Sequence, residues 1–392
     1  MIVPPSVQSD VQHDRRANLM SGKSVSAVFE SVVPLTIGLE EEVFLLDRDS
    51  LDLAPCALKL LDRLEAGSRF KAELPAAQVE ILTPPVRTVE EAIAALAEGR
   101  SALAASCGSQ LLPMAAGVHP FAAPEGQLNR GERYDRIAAA YGPVARRQLV
   151  SALQVHVAVG GADRTLAVYN ALRSYLPEIA ALAANAPFHD GRDTGLASVR
   201  PTICEALPRQ GVPPAIAGWE AFAADLRWGV TAGALPEPSM WWWELRPHPK
   251  FGTLEVRVPD TQTTIADTAG VAAFAHCLIA WLARRHDAGD LLPTAPSWRI
   301  EENRWSACRD GVHGALADLT TGALGPTRER LRDLFDQLEP TSRALGCAAE
   351  LCRGRTLIDQ NGSMRQREVA DAEGLRGLAA WLSASFCEPY PG

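Results

Sequence analysis

Thr36-Ile37-Gly38-Leu39-Glu40-Glu41-Glu42-Val43-Phe44-Leu45-Leu46 places three consecutive acids inside an apolar, β-branched and aromatic run, and such a run reads as a strand. Side chains on a strand alternate between faces, so Glu40 and Glu42 share one face, roughly 7 Å apart at a rise of about 3.3 Å per residue. Two carboxylates that close repel unless positive charge lies between them, and a hard divalent cation is the usual answer. Glu41 falls on the other face with Leu39, Val43 and Leu45, where the pattern gives an acid no role.

Four further segments show the same asymmetry. Leu153, Val155, Val157 and Val159 alternate with Gln154 and His156; Val79 and Ile81 oppose Gln78 and Glu80; Trp243 and Leu245 oppose Glu244 and Arg246; Leu254, Val256 and Val258 oppose Glu255 and Arg257. Clean alternation predicts a mainly antiparallel sheet with helices packed on one face and an open, ligand-binding other face, an α+β fold. The open face would carry Glu40, Glu42, Glu80, Glu244 and Glu255 beside His156, Arg246 and Arg257. Oxygen-rich donors select Mg²⁺ or Mn²⁺ over zinc, and arginines grip phosphate or carboxylate in bidentate fashion. Together these groups suggest nucleotide-dependent phosphoryl transfer.

Apolar residues at three- and four-residue spacing predict helices over Val89–Cys107, Thr165–Asn185, Ile265–His286, Thr327–Leu338 and Gly374–Phe386. Residues 1–33 are polar, irregular and without periodicity, which predicts a flexible N-terminal arm ahead of a single catalytic domain over 34–392. Ser21-Gly22-Lys23-Ser24 looks like the end of a phosphate loop, but Ala17 stands where the first glycine belongs and no strand precedes it. Asn185-Ala186-Pro187-Phe188 followed by Gly191-Arg192-Asp193-Thr194-Gly195 reads as a tight turn first and a ligand loop second.

At 392 residues and 47% hydrophobic content the chain can bury a large core. A net charge of −9 disfavours nucleic acid or an anionic membrane as partner. The eight cysteines form no CxxC pair or disulfide framework, as expected of reduced thiols in the cytoplasm. The most apolar helical stretch, Val271 to Ala283, reads as too short to span a bilayer, and the N-terminus carries no export signal. A homo-oligomer is the default for such an enzyme.

Gly38-Leu39-Glu40-Glu41-Glu42, Gln78-Val79-Glu80-Ile81-Leu82-Thr83-Pro84, Gln154-Val155-His156-Val157, Gly191 to Gly195 with Ala197-Ser198, Glu244-Leu245-Arg246-Pro247, Phe251 to Val258 and Glu302-Asn303-Arg304-Trp305 resemble, in order, the motifs of the bacterial carboxylate-amine ligases often called glutamate-cysteine ligase type 2. The resemblance runs from about residue 35 to 385. It implies a fold like the catalytic domain of glutamine synthetase and the use of ATP with Mg²⁺ or Mn²⁺. The expected chemistry phosphorylates a substrate carboxylate, in that family the γ-carboxylate of glutamate, and lets an amine, that of cysteine, form the amide.

By matching motifs, Glu40, Glu42, Glu80, His156 and Glu255 would hold the metal. Arg257 would steady the transferring phosphoryl group with Glu255 beside it. Arg246, Arg200, Asn303 and Arg304 would contact nucleotide or amino-acid substrates. Two positions depart from the family pattern: Gln154 stands where many relatives carry histidine, and Glu41 where an apolar residue is common. Two other readings use the same surface: a kinase of amines or guanidinium groups, and a non-catalytic ligand sensor.

Overall fold

The protein is described by a computed structural model covering residues 21–64, 69–235 and 240–389. Seven strands build the main sheet: β1 (Ile37–Asp47), β2 (Phe70–Ala72), β3 (Gln78–Leu82), β4 (Leu111–Met114), β5 (Leu153–Val157), β6 (Leu245–His248) and β7 (Thr253–Val256). Their order is β2, β3, β1, β5, β7, β6, with β4 paired to the far end of β1. Every pair is antiparallel. The helices that matter to the site and core are α1 (Gly22–Glu30), α2 (Val89–Cys107), α3 (Glu132–Tyr141), α4 (Ala162–Leu172), α5 (Trp219–Thr231), α6 (Ile265–Asp287), α7 (Ser297–Asp310), α8 (Thr327–Leu345), α9 (Ala348–Thr356) and α10 (Gly362–Ala384).

Alternation in sequence becomes two faces in space. Leu39, Val43 and Leu45 of β1 join Val79, Ile81, Leu153, Val155, Val157, Leu254 and Val256 in one fully buried layer. Helices α2 and α6 cover that layer, and each buried aliphatic side chain contributes about 1.5–3 kcal/mol. Helix α2 starts where the sequence says it should: Thr88 caps the Glu91 amide while the Glu91 side chain accepts from the Thr88 amide. Helix α6 is buried nearly all round and meets α9 through Gly270 and Gly354, where a methyl on Gly270 would lie 2.6 Å from the Gly354 Cα.

By length and hydropathy α6 could cross a membrane, contrary to the short span read from the sequence, but 89% of its apolar window is buried within the protein. It is the core helix of the fold.

The opposite face of β1 changes character along its length. Glu40 and Glu42 look into a cleft, whereas Phe44 and Leu46, two and four residues further, lie beneath Leu378 and Leu382 of α10 in a second apolar cluster. The open face is therefore a window in the sheet and not its whole area.

Three helical segments differ from their sequence reading. The span 165–185 is interrupted by a 3₁₀ turn at Arg173–Tyr175, after which Pro177 opens a short helix, Leu176–Leu182. Helix α8 runs through Pro340 to Leu345, and α10 begins at Gly362 behind an Asn361 cap, with Gly374 (φ 71°) kinking it where the sequence suggested a start.

The N-terminal expectation divides. Residues 1–20 lie outside the described residues, but 21–33 are not a loose arm: the Ser21-Gly22-Lys23-Ser24 stretch forms a capping box that starts α1. Phe29 of α1 is fully buried against Trp219, ring centroids 4.6 Å apart. At the turn between β6 and β7, Gly252 (φ 68°) lets the chain pass so close to α1 that a Cβ there would sit 2.7 Å from the Val28 carbonyl oxygen.

Candidate active site

The register across the sheet assembles the polar residues into rows. Glu42 lies opposite Glu80, Glu40 opposite Gln154, His156 opposite Gly38 on one side and Glu255 on the other, and Glu255 opposite Arg246. Of these, Glu40, Glu42, Glu80, Gln154 and Arg246 join Arg257 in lining a cleft of about 690 Å³, whose remaining walls include Ser24, Val25 and Val28 of α1, Leu226 of α5, and Trp242.

Glu255 is the most tightly held acid. Arg246 grips it with two hydrogen bonds of 2.5 and 2.9 Å, and Arg257 adds a third of 2.5 Å. Burial opposes its ionisation, yet Arg246, His156 and Arg257 outweigh burial and hold its carboxyl well below the usual range. Arg257 also donates to the Gln154 amide oxygen at 2.5 Å.

The other acids are less compensated. Burial first, then Glu73, pushes Glu42 up to about 7, against the pull of Arg257 and the Ala152 amide. Glu80 is raised well above its usual value, by burial and by Glu73, Glu40 and Glu42, although Lys71 lies 3.4 Å away. Gln154 bridges the pair: its amide nitrogen donates to Glu42 at 3.0 Å and to Glu80 at 3.3 Å.

His156 is buried, and that burial lowers its pKa against the pull of Glu255 and Glu40. Its Nδ1 pairs with the Thr253 hydroxyl at 3.0 Å. Among the described residues its Nε2 has no hydrogen-bond partner, and it lies 3.6 Å from Glu40 and 3.9 Å from Glu255. An orphaned imidazole nitrogen between two carboxylates, beside a row of acids held above their normal range, is a donor set that fits a divalent cation. Among the described residues, no three or more His, Cys, Asp or Glu side chains are gathered closely enough to hold a metal ion as they stand.

Two smaller cavities flank the cleft. At the Glu40 and His156 end, a largely apolar pocket of about 570 Å³ is walled by Val33, Ile37, Leu82, Pro85 and Phe251. At the Glu42 end lies a pocket of about 130 Å³ that shares Glu73, Arg133, Trp242 and Arg257 with the cleft.

A family model described as Glutamate-cysteine ligase family 2 matches residues 36–380. The chain belongs to that family. It is 38% identical to a Rubrobacter xylanophilus protein provisionally named glutamate–cysteine ligase 2-3, over 91% of this chain and 98% of that protein. It is 34% identical to a Frankia casuarinae protein provisionally named glutamate–cysteine ligase 2-1, over 88% and 93% of the two chains. In fold it matches the glutamate–cysteine ligase of Francisella tularensis solved in complex with AMP, with a TM-score of 0.69 at 14% identity over 90% of this chain and 89% of that one. It also matches a bifunctional glutathione synthetase from Pasteurella multocida, with a TM-score of 0.65 at 13% identity over 95% of this chain and 54% of that one.

Within this family member the sequence-derived residues separate into two groups. Glu40, Glu42, Glu80, Gln154, Arg246 and Arg257 line the cleft; His156 lines the adjoining apolar pocket, and Glu255 is buried beneath. The remaining candidates are engaged elsewhere. Arg304 clamps Glu244 through both nitrogens of its fork, so Glu244 is not a free member of the acidic face. Arg200 binds Asp260 at 2.7 Å and the Val258 carbonyl, and reaches only the small pocket. Asn303 of α7 holds the backbone of Ala317 from both sides and lines none of the three cavities. Asn185 is spent on Thr261 and Thr263, and the 191–195 stretch supplies the turn glycine and the second strand, Arg192–Asp193, of a small hairpin whose Asp193 is held by Arg367.

Lys71, Glu73 and Arg133 also line the cleft and were not singled out by sequence. Lys71 alternates with Glu73 at the β2 edge, a signal too short to read, and Arg133 lies on the exposed side of α3.

Proposed function

We propose that this family member is a cytoplasmic ATP-dependent carboxylate-amine ligase of the glutamate–cysteine type, requiring Mg²⁺ or Mn²⁺. The observation that carries the reading is the meeting of acids and arginines at the junction of three cavities: a large apolar one for a base, an acidic row for phosphates, and a small one beyond Glu42. All eight cysteines are free thiols, which supports a reducing compartment.

Glu40, Glu42, Glu80, His156 and Glu255 would hold the metal, which neutralises phosphate charge when bound. The protein's own part is positioning. Arg257 is locked by Glu255 and Gln154, so its planar fork faces the cleft without paying for reorientation when phosphoryl charge develops. Arg246, fixed by Glu255 and the Trp241 carbonyl, extends the same cationic edge. Phosphoryl transfer needs charge neutralisation and alignment more than a protein nucleophile, and this floor contains the former without the latter. His156 points its Nε2 toward Glu40 and is oriented by Thr253.

The test is ADP release by purified protein with MgATP and glutamate, with and without cysteine, followed by mass spectrometry. A cysteine-dependent product of the mass of γ-glutamylcysteine is expected. No turnover with any panel of acids and amines, despite bound MgATP, overturns the reading.

A further inference from the structure

We propose that helix α1 decides the fate of the acyl phosphate: Val25 and Val28 give the cleft a wall that holds no ordered water, so that the amine and not water takes the acyl group. This rests on the ligase reading above. It assigns reaction specificity to a segment that lies outside the family match over 36–380.

The chemistry calls for such a wall. In aminolysis the amine nitrogen bonds to the acyl carbon, the bond from that carbon to the phosphate oxygen breaks, and phosphate leaves with the proton shed by the nitrogen. In hydrolysis a water oxygen bonds to the same carbon and the same bond breaks, returning the carboxylate, phosphate and a proton. ATP is then consumed without an amide. The cleft measures about 690 Å³, room for roughly twenty waters at about 30 Å³ each. Its acids and arginines are groups that hold and orient water, so the surface facing them determines how much water stays ordered beside the acyl carbon.

Helix α1 presents a surface of the opposite kind. It lends Ser24, Val25 and Val28 to the cleft, positions that three- and four-residue spacing brings to one side of a helix. The two valine side chains have no donor or acceptor. The Ser24 hydroxyl is turned back into the capping box, donating to the Ser21 carbonyl at 2.9 Å and accepting from the Ser21 amide at 2.9 Å. Beyond the end of the helix, Val32 and Val33 carry the apolar lining into the neighbouring pocket, so one segment borders both cavities.

The wall is also fixed in place. The Gly22 amide donates to Glu220 of α5 at 2.8 Å, and Glu30 accepts from the Ala162 amide at the start of α4 at 2.9 Å. Phe29 packs against Trp219. These anchors lie at Gly22, Phe29 and Glu30, so the half-buried side chain of Val28 can change without releasing the helix.

The experiment measures ADP released per amide formed, with MgATP and the acid and amine that wild type joins, at saturating amine. Val28→Thr keeps the branched shape and adds a hydroxyl; Val28→Asn presents both a donor and an acceptor. Two controls accompany them. Val28→Ile enlarges the apolar surface, and Ala27→Ser places a hydroxyl on the exposed side of α1, outside all three cavities. Wild type should release about one ADP per amide, and the two polar variants about two or more, as water gains a foothold. The surplus should require the acid substrate, because it passes through the acyl phosphate. Val28→Ile should not raise the ratio, and Ala27→Ser should leave it at the wild-type value. Circular dichroism checks folding, and either polar variant alone carries the test.

A wild-type ratio in the polar variants, an equal rise in Val28→Ile or Ala27→Ser, or surplus ADP that forms without the acid overturns the proposal while the ligase reading stands. No amide from wild type with any acid and amine removes that reading, and this proposal with it.

Discussion

Glu41 and Glu42 are neighbours on one strand, and their surroundings are opposites. On the helix side of the sheet, Arg100 of α2 meets Glu41 with two hydrogen bonds of 2.8 and 2.7 Å, both side chains fully buried. Arg100 spends its remaining donors on the carbonyls of Gln262, Thr263 and Phe386, and Thr268 adds a hydroxyl to Glu41 at 3.3 Å. On the cleft side, Glu42 shares one amide with Glu80, faces that second acid across the strand pair, and is pushed up to about 7 by burial and by Glu73. A buried acid whose partners saturate it is architecture. One whose neighbours leave it short of positive charge is kept for something that arrives from outside.

The strongest way to break this contrast is Arg100→Ala. It strands the Glu41 carboxylate in the core, and losing one half of a buried pair costs about 3–5 kcal/mol; urea unfolding should record it. A loss under about 1 kcal/mol would place Glu41 among the lightly held acids. Glu42→Gln attacks the other side. Turnover should fall about a hundredfold or more, equivalent to about 2.7 kcal/mol of transition-state stabilisation. Stability at pH 7.5 should stay level or rise, since the substitution keeps size and removes repulsion. Wild-type turnover in that variant would move the chemistry elsewhere.

Acid should sharpen the comparison more gently. His276 of α6 is buried on the helix side, with one ring nitrogen on the Leu35 carbonyl; burial lowers it from 6.5 to about 4. The unfolded chain binds a proton between those values and the folded chain does not, so stability is full above about 6.5 and falls as the pH drops toward 4. By pH 5 the loss from this residue is about 2 kcal/mol. Unfolding free energies of wild type and His276→Gln at pH 7 and 5 check it: the variant should lose less by about that amount, and parallel losses would discard the assignment.

Parity made much of the fold legible. Gln78–Leu82 and Val89–Cys107 appear with the bounds read from sequence, because a two-residue or a three-to-four-residue period is imposed by the core itself. The same period placed Glu40, Glu42, Glu80, Arg246 and Arg257 around one cleft. It could not say which charges would be consumed by partners far away in sequence. Arg304 lies 60 residues from Glu244, and Arg100 lies 59 from Glu41. Nothing local marks Glu244 as paired or gives Glu41 its arginine. Glu73 and Arg133 sit on a strand edge and an exposed helix face, where no periodicity constrains the residue type.

Helix α1 ends before residue 36, where the family match begins, and Val25 and Val28 nevertheless wall the cleft while Phe29 fills a hollow beside Trp219. The border drawn by family likeness and the border of the folded unit are thus different lines. A protein trimmed at the first would keep every acid and arginine of the floor, yet uncover Trp219 and open one side of the cleft to water. Its weakness as a catalyst would describe the cut and not the enzyme.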